Sequence, residues 1–149
     1  MPDTPRSLST DSERVLEMFR GDYANLQYHF VEFIAEHLSD CSRVFDGDLQ
    51  QVLILAIIGQ LTLRSILEAT RKGGRRLPRT SIAAQRIADA TGIPRETVRR
   101  KLAELSRRGW IERVSGGWRM VVGPHGDAAA RVDLDDLNER ALARLARFY

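Results

Sequence analysis

The residues from Thr80 to Val122 leave this chain few ways to fold. They read TSIAAQRIADATGIPRETVRRKLAELSRRGWIERVSGGWRMVV. Ser81 offers a side-chain cap to a first helix, whose inner side would be Ile82, Ile87 and Ala88. Gly92 follows Ala88 by four residues. Two helices that cross closely need a small side chain at the crossing, and the turn between them needs a residue tolerant of positive φ. Pro94 then suits the first position of a new helix, where its missing N–H has no helical partner anyway. The spacing therefore predicts a helix, a tight turn and a second helix.

The second helix, over Pro94 to Arg108, has two unlike faces. Val98, Leu102 and Leu105 recur at helical spacing. Glu96, Arg99, Arg100, Ala103 and Arg107 lie broadly opposite, with Arg95 and Thr97 flanking that face near the helix start. A helix that buries one stripe and offers a fork of arginines from its first turns suits a DNA major groove, where arginine can hold guanine O6 and N7 bidentately. Gly109 stops the helix. Trp110 to Val114 and Trp118 to Val122 have the β-branched and aromatic content of strands, joined at Ser115-Gly116-Gly117. Leu77-Pro78-Arg79 is expected to add a short edge strand, a place where proline is tolerated.

The run I-A-x-x-T-G-I-P-R-E-T-V-R-R-K-L-x-E-L-x-x-x-G-W-I, followed by a glycine-tipped hairpin, resembles the winged helix-turn-helix of bacterial transcriptional regulators. The multiple-antibiotic-resistance-regulator (MarR) type and its relatives are the nearest comparison. The resemblance covers about a third of the chain. It implies a mainly α fold with a small β wing, and terminal helices that build a homodimer. It also implies double-stranded DNA as the partner, repression by occluding a promoter, and a small-molecule effector. Arg95, Thr97, Arg99 and Arg100 are then the groove candidates. Arg113 and Arg119 on the wing strands suit phosphates, as do Arg75, Arg76 and Arg79. Ser81 sits where helix N–H groups also bind phosphate.

Charge is distributed as that reading needs. The chain of 149 residues carries a net charge of only +3. From Arg71 to Arg119 there are 14 Lys and Arg against 4 Asp and Glu, whereas residues 1–70 carry 5 against 11. The positive charge gathers on the helix-turn-helix and its leading loop, as in a phosphate-binding surface; a solvated basic face is the plainer alternative.

Upstream, Thr10 and Glu13 match a capping box, so one helix is expected from about Asp11 to Leu38. Val15, Phe19, Tyr23, Leu26, Phe30, Phe33 and His37 repeat at intervals of three and four, close to a coiled-coil seam, with Gly21 a weak point. Either a second subunit or the helix's own domain covers that seam. Ser39 to Asp48 reads as a connection. The helix from Asp48 to Arg71 is apolar nearly all round and is expected to be central and buried. Downstream, Asp133 is an expected N-cap for a last helix striped with Leu134, Leu137, Ala141, Leu142, Leu145 and Phe148. The divisions are thus 1–48 for the N-terminal dimerisation segment, 49–123 for the winged domain and 124–149 for the C-terminal dimerisation helix.

Other chemistry finds little support in the sequence. There is no phosphate-binding glycine loop and no nucleophile elbow, and His29 and His37 lack the neighbours of a metal site. The reading is therefore not an enzyme, with no cofactor and no metal. The lone Cys41 makes no internal disulfide and fits a reducing cytoplasm. The uncharged run Leu49 to Leu63 falls short of a membrane span. Tyr23 and Tyr28 mark a possible effector pocket, with a dry dimer core as the alternative. A winged helix that binds protein or RNA remains open, because fold alone does not settle function.

Overall fold

Two successive helices open the described chain. The computed structural model describes residues 9–73 and 81–148. The first helix, α1 (Thr10–Gly21), is capped by the Ser9 hydroxyl, which accepts from the Ser12 N–H at 3.2 Å. The cap thus lies one residue before the expected Thr10. The expected single helix breaks at Asp22, with φ −124° and ψ 43° just after the weak Gly21, and resumes as α2 (Tyr23–Val44).

α2 outruns its expected end because residues that read as loop are used inside it. The Ser39 hydroxyl donates to the Ala35 carbonyl at 2.7 Å. Asp40 is buried and meets Arg43 on its own helix and Arg144 at 2.6 Å on the last one. The connection shrinks to Phe45–Asp48, where Asp46 and Gly47 take positive φ. Asp48 then caps α3 (Leu49–Arg71), accepting from the Gln51 N–H at 3.1 Å.

α3 is less buried than its composition suggests. Gln51, Ile54, Leu55, Ile58 and Thr62 face the core, while Leu49, Leu53, Leu63, Ile66 and Leu67 are exposed. By length and composition alone it meets the requirement for a membrane span. The uncharged run counted from the sequence misses this, because the helix continues through Arg64 to Arg71.

The motif follows as α4 (Ala84–Thr91) and α5 (Arg95–Arg107), joined through Gly92 at φ 72°. Ile87 and Ala88 are buried as expected. Ile82 precedes α4 and pairs with the wing. The hairpin β1 (Ile111–Val114) and β2 (Gly117–Met120) is antiparallel, with Ile111 opposite Met120 and Glu112 opposite Arg119. A single antiparallel Ile82–Trp118 bridge lies on the other edge of β2. The expected edge strand at Leu77-Pro78-Arg79 lies outside the described residues.

Ile54, Ile58, Ile87, Val98, Leu102 and Leu105 form the centre of the core, with Trp110 and Ile111 closing it below the wing. Cys41, Phe45, Ala130 and Leu137 belong to the same cluster. The chain then passes through α6 (Ala129–Asp133) and α7 (Asp135–Leu145) to a short 3-10 turn at Ala146–Phe148. Asp133 is not the cap of α7, which starts after Leu134 without a side-chain cap. Its carboxylate instead accepts from the Trp110 indole N–H at 2.7 Å. Arg144 docks α7 on α2 through Glu36 at 2.7 Å and Asp40 at 2.6 Å, and Phe148 packs edge-on against Phe33.

Candidate nucleic-acid interface

The surface follows from how α5 is seated. Val98, Leu102 and Leu105 have no exposed area. Burying that stripe turns Arg95, Glu96, Arg99, Arg100, Ala103 and Arg107 to solvent, with Thr97 half-buried at the margin. Glu96, Thr97, Arg99, Arg100 and Ala103 line an open depression on this face.

The arginines are not equivalent. Arg99 is paired with Glu96 one turn earlier at 2.5 Å. The Arg99 guanidinium holds the Glu96 carboxyl below its usual range, and Glu96 in turn raises Arg99. Arg95 and Arg100 have no hydrogen bond or ion pair among the described residues, so they are free to meet an anion. Pro94 precedes α5 with extended backbone and no side-chain cap, and Ala83 does the same for α4. Both helices therefore present first-turn N–H groups at their positive ends.

Around the wing, Arg113 is exposed on β1. Arg119 is not free: its Nε donates to Glu112 across the hairpin at 2.7 Å. Ser81 does not cap α4, which begins three residues later, because Ile82 is held in its bridge to Trp118. It lies instead beside the hairpin tip, where a β-carbon on Gly116 would come 3.8 Å from its Oγ. Arg79 lies outside the described residues, as do Arg75 and Arg76. Tyr23 and Tyr28 are exposed on the α1–α2 arm, at 66% and 63%. His29 neighbours Glu32 at 3.6 Å, whereas His37 stacks on Phe33 and approaches Cys41 Sγ at 3.6 Å.

Two residues that position the site escape a reading by faces. Lys101 pairs with Asp48, and Glu104 accepts from the Gln51 side chain. They tie the flank of α5 to the head of α3. Burial acts to raise the Asp48 carboxyl, but the hydrogen bond from Lys101 and that from the Gln51 N–H outweigh it, and the net direction is down. Their signal in the sequence is position, since both sit at the border between the apolar stripe and the arginine face.

Residues 60–123 match the family model of the Crp-like helix-turn-helix domain. That span holds the second half of α3, both motif helices and the hairpin. With the architecture above, it supports a DNA-binding regulator of winged helix-turn-helix type. The match names the Crp-like domain and not the MarR type. Neither a search of curated proteins nor one of solved structures gave a match.

Proposed function

We propose that this chain is a sequence-specific, double-stranded-DNA-binding transcriptional regulator, acting as a homodimer in the bacterial cytoplasm and repressing by covering a promoter. The observation that carries the reading is the exposed arginine face of α5, lying inside the segment similar to a Crp-like helix-turn-helix domain. In this reading α5 enters the major groove. Arg95 and Arg100 are available at once, Arg99 exchanges Glu96 for the DNA, and Thr97 contacts the groove margin. Arg113, the first turns of α4 and α5, and Ser81 beside the hairpin tip face phosphates, and Arg79 keeps the phosphate role its place in the sequence suggests. Arg119 shapes the wing through Glu112.

Two such helices, about 34 Å apart in a dimer, would read half-sites one helical turn apart. The N-terminal arm and α7 supply dimer surfaces. An effector would bind where Tyr23 and Tyr28 meet the second protomer. The function is recognition rather than catalysis, and it needs no cofactor.

Selection of duplexes from a random pool at near-physiological salt tests this. Enrichment of a palindrome is the expected result. Salt-sensitive binding without an enriched sequence would sink sequence-specific reading, and no duplex binding would turn the site toward a protein or RNA partner. Arg100→Ala should weaken selected duplexes by roughly ten- to a hundredfold if Arg100 reads a base. Equal weakening on all sequences, with a smaller salt slope, would assign it to phosphate.

A further inference from the structure

α3 has a face that the described residues leave largely open, only Val52 on it packing partly against the core. Leu49, Val52, Ala56, Gly59, Leu63 and Ile66 follow one another at alternating steps of three and four. That is the a/d spacing of a helix–helix seam, sustained over about two and a half heptads. It lies away from the Gln51, Ile54, Ile58 and Thr62 side that packs into the core. Leu63 is 61% exposed, and Leu67 beside the seam is 66% exposed. A β-carbon placed on Gly59 meets no atom within 4 Å. Nothing within the described chain therefore requires a glycine at this point of a helix, where glycine is unfavourable.

We propose that a second copy of this chain covers the face, its α3 running antiparallel to the first about a two-fold axis between Ala56 and Gly59. The proposal rests on the dimeric reading above and names its central contact. Three observations support it. In this register Leu49 meets Ile66 of the partner subunit, Val52 meets Leu63 of the partner subunit, and Ala56 meets Gly59 of the partner subunit. Large residues meet large ones, and the small pair falls at the axis, where the helices approach most closely. Each contact is also repeated by the symmetry, as a two-fold interface demands.

The third observation is charge. Residues 49–63 of α3 carry none, and Arg64, Glu68 and Arg71 occupy its last third. The antiparallel pair lays that charged third over the partner's neutral first third and aligns opposite helix dipoles. A parallel pair would stack Arg64 on its own copy, and Arg71 likewise. Lipid is a poorer occupant, because the opposite side of the same helix is locked into the domain core by Ile54 and Ile58.

The test is sedimentation of the purified full chain at micromolar concentration, with Leu63→Glu and Phe30→Glu compared. Both positions are exposed, so both variants should keep their helical circular dichroism. The wild type is expected to be a dimer, and Leu63→Glu to weaken it at least tenfold. Dissociation by Phe30→Glu but not by Leu63→Glu would overturn the α3 contact while leaving the dimeric reading intact. A monomeric wild type would overturn both, and a monomer that binds neutral phosphatidylcholine vesicles would place lipid on this face. For the register, an Ala56→Cys, Gly59→Cys double variant should cross-link on mild oxidation, whereas Leu63→Cys alone should not. Ready cross-linking of Leu63→Cys would mean a parallel pair and overturn the proposal.

Discussion

Gly117→Ala should damage the wing far more than its size suggests. Gly117 opens β2 at φ +150°, and a β-carbon there would lie 2.2 Å from the Ile82 carbonyl oxygen and 2.7 Å from the Ala83 nitrogen. Those atoms are backbone and cannot rotate away. Relief requires the two segments to part by about 1 Å, which stretches their bonds beyond hydrogen-bonding range. The bonds concerned run from the Ile82 N–H to the Trp118 carbonyl at 2.9 Å and from the Trp118 N–H to the Ile82 carbonyl at 2.8 Å. Two such bonds contribute roughly 1–3 kcal/mol together. Strain at the unusual φ adds about 1–3 kcal/mol, and the stiffer unfolded chain returns roughly 0.4–1 kcal/mol.

The net loss is about 1–5 kcal/mol, equivalent to a fall of roughly 3–20 °C in Tm for a chain of this length. Thermal melts followed by circular dichroism would measure it. Gly116→Ala is the control for backbone strain alone, because its φ is +88° but its β-carbon meets only Ser81 Oγ at 3.8 Å. A Gly117→Ala midpoint within 2 °C of wild type, or an equal loss in Gly116→Ala, would refute the reasoning.

Other outcomes follow from the same geometry. Asp48 titrates below the ordinary carboxylate value when folded, so the stability it adds is complete above about pH 4 and disappears as pH falls through the folded value. Urea midpoints measured from pH 6 to pH 2.5 should drop less steeply for Asp48→Asn, which keeps the cap; an unchanged slope would remove this contribution. Ile58→Ala, at a side chain 1% exposed, should cost about 2–5 kcal/mol in urea unfolding. Glu96→Gln frees Arg99 and should tighten binding to nonspecific duplex at low salt while leaving Tm unchanged. Weaker binding would give Glu96 a direct role at the DNA.

The helix-turn-helix was legible because its signals are local. Gly92, Pro94 and the Val98, Leu102, Leu105 stripe act within a few residues of themselves. What was not legible depends on partners far along the chain. Asp133 looks like a cap by composition but is used by an indole 23 residues away. Asp40 looks like a loop residue because its counter-charge, Arg144, comes from the last helix. Ser81 precedes the motif in the right place to cap, yet the pull of Trp118 on Ile82 decides where α4 begins. The exposed arginines of α5 could be named from periodicity, but the engagement of Arg119 with Glu112 needed the hairpin register. The apolar excess of α3 was visible; that half of it faces outward was not, since composition does not say which side a neighbour occupies.

The ties of Lys101 to Asp48 and Glu104 to the Gln51 side chain make α3 and α5 a single mechanical part. Both fastenings sit at one end of α3, which has 23 residues and is about 34 Å long at 1.5 Å per residue. Because Ile54, Ile58 and Thr62 also bury α3 against the core, the helix and α5 turn together, with the length of α3 as the lever. Tilting it by about 5° moves the far end by roughly 3 Å over that length, and the head carries α5 with it. Small motions of an effector or partner pressing on the distal half of α3 would therefore reach the arginine face as a change of attitude. No contact near the DNA needs to break for that to happen.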